Sequence, residues 1–212
     1  MNRIRLSLKN NNKTNILNDN RKRPILRQMR KSNSHTVASA FEAMRDPPWL
    51  IEGSLYDMEI LTRYDKKINN ENMNTLSIVI ASGSMGNLKV LGLRRNKIGD
   101  DGMKSFAEAI KPTPENPMGS LGALEYLGLG LNQIGNTGMA ALSLAITSGA
   151  LGMLENLGLS ENQIGDDGMA TFSSAIANGA LPKLVEVFGL GNPGNGMGVE
   201  EACRARGIRC LV

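Results

Sequence analysis

The sequence predicts an α/β solenoid, with a curved parallel sheet on the inside of a stack and helices covering the outside. Three observations carry this. Residues 88–103, 124–139 and 154–169 are near copies of one another, and a weaker copy starts at Leu184. Successive starts at Leu88, Leu124, Leu154 and Leu184 set a period that marks a structure whose units bury their apolar faces only against their neighbours. Each copy opens with alternating residues, the period of a strand, and continues with apolar residues at helical spacing. Hydrophobic residues make up 41% of the 212 residues but aromatic ones only 4%. The core is therefore built of Leu, Ile, Ala and Met, which suits a stack of small, similar layers.

Residues 1–35 are a basic, Asn-rich extension. Residues 1–45 carry eleven Lys and Arg against Asp19 and Glu42, a charge of +9. Residues 46–212 carry thirteen against eighteen Asp and Glu, a charge of −5. The chain thus pairs a basic tail with a mildly acidic body. Apolar residues in 1–34 follow no period, so this segment cannot bury enough surface to offset its ordering entropy and is expected to be disordered on its own. Residues 36–57 are expected to cap the first layer. Val37, Phe41 and Met44 fall on one face of a short helix, Asp46-Pro47-Pro48 stops it, and Trp49 and Leu50 follow.

The solenoid is expected over 58–212, as about five repeats including degenerate terminal ones. The first begins near Met58. Met58, Leu61 and Ile68 stand two repeats ahead of Leu124, Leu127 and Ile134 at matching offsets, and residues 73–83 match the helix at 139–149. A more polar terminal repeat is what an end cap needs.

The unit from Leu154 shows how one repeat works. Leu154, Leu157 and Leu159 point inward and alternate with Asn156, Gly158 and Ser160. Asn162 follows where the chain must turn, and its buried amide can satisfy backbone groups that the strand leaves free. Stacked copies would form an Asn ladder. Ile164 returns to the core. Gly165-Asp166-Asp167-Gly168 makes the turn, with Asp166 expected as N-cap of the following helix. Met169, Phe172 and Ile176 line the inner face of that helix, and Gly179 ends it.

The pattern Leu-x-x-Leu-x-Leu-x-x-Asn-x-Ile-Gly-x-x-Gly-Met followed by a helix resembles leucine-rich repeats of the ribonuclease-inhibitor-like subfamily. The match is specific over 88–182, fair over 58–87 and 183–212, and absent over 1–50. Gly189 at the third leucine position and Pro193 in the turn depart from it. The resemblance implies a protein-binding scaffold without naming a partner.

The outward strand positions would form the concave face. They are Ile60, Thr62, Tyr64; Val90, Gly92, Arg94; Tyr126, Gly128, Gly130; Asn156, Gly158, Ser160; and Glu186, Phe188, Leu190. Tyr64, Arg94, Arg95, Tyr126 and Phe188 are the candidate partner-binding residues, since aromatic and Arg side chains are typical binding anchors. The glycines of the middle column would let a partner's backbone come close. In the tail, Arg21, Lys22, Arg23, Arg27, Arg30 and Lys31 are candidate polyanion contacts, able to neutralise phosphates on RNA or an acidic protein surface. No aromatic residue interleaves them, so base stacking is not encoded. An organelle presequence and a solvated tail without a role remain open.

Catalytic constellations are missing. His35, the single histidine, lies beside the tail, far in sequence from Cys203 and Cys210. Gly189-Leu190-Gly191-Asn192-Pro193-Gly194 fits a dinucleotide fingerprint, but the stretch from Gly194 to Val212 is too short for the helix, strand and acidic residue such a site needs. Asp100-Asp101 and Asp166-Asp167 recur where helices start, which suits capping and the helix dipole. The longer spacing between Leu88 and Leu124 is made by an insertion around Lys111–Pro117, a stiff loop with three prolines that is read as a tolerated surface insertion or a private docking point. No run approaches the about 18 apolar residues of a membrane span, and no apolar secretory leader opens the sequence. Cys203 is expected in the last helix and Cys210 in a final strand, as free thiols or as a disulfide between layers. Two cysteines make no disulfide framework, which favours a reducing intracellular compartment.

The expectation is a non-enzymatic scaffold in a larger assembly. Its concave face would hold a protein and its basic tail would anchor it to an acidic surface, with no cofactor, metal, membrane span or small-molecule substrate. An RNA-associated structural subunit and an enzyme inhibitor acting through the concave face are the alternatives.

Overall fold

The computed structural model describes residues 57–212. The expected cap at 36–57, apart from Asp57, and the tail residues Arg21, Lys22, Arg23, Arg27, Arg30 and Lys31 lie outside the described residues. Strands β1 (Ile60–Thr62), β2 (Val90–Gly92), β3 (Tyr126–Gly128), β4 (Asn156–Gly158), β5 (Glu186–Phe188) and β6 (Arg209–Leu211) form one parallel sheet in sequence order. Between them run α1 (Asn70–Ala81), α2 (Asp100–Ile110), α3 (Asn136–Thr147), α4 (Asp166–Ala177) and α5 (Met197–Ala205). Each helix packs on the next one along and each strand pairs with the next, so every layer is supported by its neighbours.

The register follows the repeat. Leu61, Leu91, Leu127, Leu157, Val187 and Cys210 stand side by side at the strand centres. Leu61 and Ile68 are buried in the first layer, with Met58 packed against the core. From the helix side Met103, Phe106 and Ile110, then Met139, Leu142 and Ile146, then Met169, Phe172 and Ile176 close the core. In the last layer Val212 lies against Gly189, where a side chain would meet Val212 Cγ1 at 2.7 Å. Val212 fills the space that a leucine occupies in the central layers, which accounts for Gly189.

The Asn ladder is continuous. In each layer the Asn side chain accepts from a backbone N–H of the layer before. Asn96 Oδ1 takes Lys66 and Ile68 (3.0 Å each), and Asn132, Asn162 and Asn192 take Ile98, Ile134 and Ile164 (3.1 Å each). Each Nδ2 donates to a carbonyl of its own layer and to one of the layer before. Asn132 Nδ2 donates to Leu129 (2.9 Å) and Leu93 (3.0 Å), and Asn162 Nδ2 to Leu159 (2.9 Å) and Leu129 (3.0 Å). Turn backbone that would be stranded at the sheet edge is thereby satisfied.

Helix capping differs from the sequence expectation. The N-cap of α4 is Gly165, and Asp166 makes no side-chain cap of its own helix. The first residue of each of α1 to α4 reaches instead to the next layer. Asn70 Oδ1 accepts from Gly99 N–H (2.7 Å), Asp100 Oδ1 from Gly135 (2.7 Å) and Gly138 (2.8 Å), and Asn136 Oδ1 from Gly165 (2.6 Å) and Gly168 (3.2 Å). Asp166 Oδ1 accepts from Asn195 N–H (2.8 Å). The cause is the close approach of successive layers, which places one helix start directly beside the next. A Cβ at Gly138 would lie 2.7 Å from Asp100 Oδ1, so glycine there makes room for the neighbour's carboxylate. That carboxylate also meets the positive end of α3.

Candidate functional site on the open sheet face

Helices cover one side of the sheet and leave the other open. Because side chains alternate along a strand, the flanking residues of each three-residue strand face outward and form columns across the layers. One column runs Ile60, Val90, Tyr126, Asn156, Glu186, Arg209, and the next Thr62, Gly92, Gly128, Gly158, Phe188, Leu211.

Tyr64 and Arg95 form a pair at the end of the first two layers. Arg95 donates from an Nη to the Tyr64 hydroxyl at 3.1 Å, its guanidinium carbon lies 5.9 Å from the ring centroid, and Asp65 stands 4.0 Å from its Nε. The hydrogen bond to Tyr64, with the charge of Asp65 behind it, holds the Arg95 pKa above the ordinary arginine value. Arg94 extends in the other direction. It passes Gly130, where a side chain would stand 3.9 Å from its Cγ, and reaches Glu161 two layers away at 3.8 Å. Arg94 and Glu161 are both more than half exposed, so this pair orients the side chains and adds little stability.

Tyr126 lies across the glycine column. A Cβ at Gly128 would meet the Tyr126 ring at 2.9 Å, so the ring rests on that glycine with part of its surface in solvent. At Gly92 the Thr62 methyl occupies the same place, 3.1 Å from a built Cβ. Gly158 differs: its nearest neighbour is the Gly128 backbone at 3.7 Å. The glycine column is thus open to a partner's backbone at Gly158, and covered at Gly92 and Gly128 by side chains of this chain.

Phe188 stands apart from the other four candidates, two strands beyond Tyr126. It is half-buried, and Leu211 is its register partner on β6, with exposed Leu190 two residues on. Arg209 and Glu186 pair at 2.8 Å beside it. The face therefore has a Tyr–Arg end, a shallow floor at Asn156, Gly158 and Ser160, and an apolar end. Glu161 and Asp65 were not among the sequence candidates. Their signal was their place just after the strand, a left-handed backbone position shared by Asp65, Arg95, Leu131 and Glu161.

Elsewhere, the insertion at 111–117 does more than bulge outward. Asn116 and, just past it, Met118 wall a shallow groove of about 470 Å³ that Lys89, Gly122, Glu125 and Met153 complete. Cys203 on α5 and Cys210 on β6 are free. Their mutual hydrogen bond, with burial, pushes the Cys210 thiol far above its usual range. Among the described residues no group of three His, Cys, Asp or Glu is placed to hold a metal ion. No described helix is long and apolar enough to cross a membrane.

The family model described as Leucine Rich repeat matches residues 87–107, 124–143 and 153–173. A search of curated proteins finds no match to the chain. The three matched stretches span β2–α2, β3–α3 and β4–α4, the most regular layers of the stack. Such repeats generally mediate protein–protein interaction and are typically non-enzymatic. The matches identify these three stretches as leucine-rich repeats, and the parallel sheet and alternating helices around them form an α/β solenoid consistent with that type.

Proposed function

We propose that this protein is a non-enzymatic scaffold that docks a protein partner on its open, concave sheet face, as a subunit of a larger assembly. The observation that carries this is the arrangement of exposed and half-buried anchor types on that face. Tyr64, Arg94, Arg95 and Tyr126 crowd one end and Phe188, Leu190 and Leu211 the other, with accessible backbone at Gly158 between them. Binding energy concentrates in such aromatic and Arg residues when a partner desolvates them. The repeat length and the helix in every complete repeat suit the ribonuclease-inhibitor-like type. The basic extension, which we treat as a unit of its own, anchors the protein to an acidic surface through Arg21, Lys22, Arg23, Arg27, Arg30 and Lys31.

The test is site-directed photo-crosslinking of the intact protein in cells. A crosslinker at Asn156, on the sheet face, should capture one defined protein, and one at Lys104, on the helix side, should not. Capture only from position 104 would move the docking side to the helices.

A further inference from the structure

The described body is net acidic, yet its basic residues are not spread along it. Residues 57–97 hold seven Lys and Arg against four Asp and Glu, a charge of +3, and residues 98–212 hold six against twelve, a charge of −6. Six of those first seven lie on the two loops that leave β1 and β2: Arg63, Lys66, Lys67, Arg94, Arg95 and Lys97. The loops are laced together. Lys66 N–H donates to Asn96 Oδ1 (3.0 Å), Asn96 Nδ2 to the Arg63 carbonyl (2.7 Å), Lys97 N–H to the Ile68 carbonyl (2.7 Å), and Asp65 N–H to the Arg94 carbonyl (3.2 Å). The backbone that carries the cations is therefore fixed as one unit. Lys67 departs from its equivalents in the other layers by taking a left-handed backbone (φ 59°), a conformation that costs free energy in a non-glycine residue. Lys66, Lys67 and Lys97 are exposed and their side chains make no ion pair among the described residues. Across the Thr62–Gly92–Gly128 column from these loops, the outward column at the strand starts opens with Ile60, 63% exposed, then Val90 and Tyr126.

We propose that this corner of the sheet face takes an acidic segment of a protein partner, its carboxylates on Lys66, Lys67, Lys97, Arg94 and Arg95, its aliphatic side chains on Ile60, Val90 and Tyr126. The inference rests on the sheet face being the docking side and names the chemistry of what docks there. Charge complementarity selects the partner. Clustered cations whose like charges repel one another gain most from an anionic ligand and steer its approach. The chain's own tail is the wrong sign, with ten Lys and Arg against Asp19 over 1–34. A single-stranded nucleic acid needs aromatic faces for its bases. Here Tyr64 is engaged by Arg95, and two of the three strip residues are aliphatic.

The experiment pans a displayed library of random dodecapeptides against the intact 212-residue chain, then measures enriched peptides by fluorescence anisotropy on wild type and on K66E/K67E/K97E. Enriched peptides should combine Asp or Glu with aliphatic residues. The triple variant should bind them about tenfold or more weakly at low ionic strength, and the gap should close near 1 M salt, where the screening length is about 3 Å. The milder K66Q/K67Q/K97Q variant should fall between the two, which separates lost attraction from any damage to the fold. Peptides without acidic bias, or a loss below about twofold in the triple variant, overturn the inference. If such neutral peptides are still displaced by Tyr126→Ala, the docking face stands and only its acidic preference falls. If no peptide responds to either change, both fall. Tighter binding of an oligouridylate, lost in the triple variant, would assign the corner to nucleic acid. A dimer in sedimentation, lost in the triple variant, would assign it to a second copy.

Discussion

Replacing Asn132 by alanine removes one rung of the ladder, and the structure fixes how much that costs. Asn132 is 8% exposed. Its Oδ1 accepts from Ile98 N–H at 3.1 Å, and its Nδ2 donates to the carbonyls of Leu93 (3.0 Å) and Leu129 (2.9 Å). The two carbonyls are not stranded by the change, because Leu93 keeps Asn96 Nδ2 (2.8 Å) and Leu129 keeps Asn162 Nδ2 (3.0 Å). The loss therefore falls on the buried Ile98 N–H, about 1–3 kcal/mol for a donor left without a partner. The two carbonyl bonds add about 0.5–1 kcal/mol each, for a total of about 2–5 kcal/mol. In a domain of this size each kcal/mol moves Tm by about 2–4 °C, so melting should fall by roughly 4–20 °C. Urea and thermal titrations of wild type and N132A measure it. Asn132→Asp sharpens the test, since a carboxylate keeps the acceptor for Ile98 but turns a second oxygen toward two carbonyls. That should be worse than alanine at neutral pH. The gap should narrow in acid, because the folded state raises this aspartate's pKa and its protonated form can donate. An N132A protein within about 0.5 kcal/mol of wild type, or an N132D protein as stable as wild type at pH 7, would refute the ladder's energetic role.

The remaining predictions concern the layers and their caps. Leu157, 1% exposed at the centre of β4, should cost about 2–5 kcal/mol on change to alanine, through lost burial and the cavity left behind, read as a lower urea midpoint. Gly138→Ala would stabilise an exposed helix position by about 0.5–1 kcal/mol. Here it should destabilise by about 1–3 kcal/mol, because the new methyl displaces the Asp100 carboxylate that caps α3. Gly158→Ala, with nothing nearer than 3.7 Å, should leave stability within about 0.5 kcal/mol of wild type in the same titration.

The parts of the fold legible in the sequence are those that recur within one repeat. Leu154, Leu157, Ile164 and Phe172 declare a strand, a turn and a helix by spacing alone, and Asn162 sits where a ladder needs an amide. What the sequence hides are relations between side chains a full repeat apart, in neighbouring layers. Asp100 looks like a cap for its own helix, and only the stacking distance reveals that it serves α3. Gly102, Gly138 and Gly168, repeated inside first helical turns where glycine is disfavoured, were the available signal. The open face was legible as a set of columns. The lie of Tyr126 over Gly128 and the reach of Arg94 past Gly130 to Glu161 depend on side-chain torsions that spacing does not encode.

The central claim, that the sheet face binds a protein, is tested most directly by comparing two perturbations of one complex. The partner captured by crosslinking is titrated against wild type, against R94E/Y126A on the sheet face, and against K104E on the helix side, where Lys104 pairs with its exposed neighbour Asp101 at 3.1 Å. Circular dichroism of all three proteins should coincide. The account predicts that R94E/Y126A weakens binding by about tenfold or more, as the loss of a Tyr and an Arg anchor implies, and that K104E leaves it within about twofold. Equal losses from both variants, or a loss confined to K104E, would contradict it.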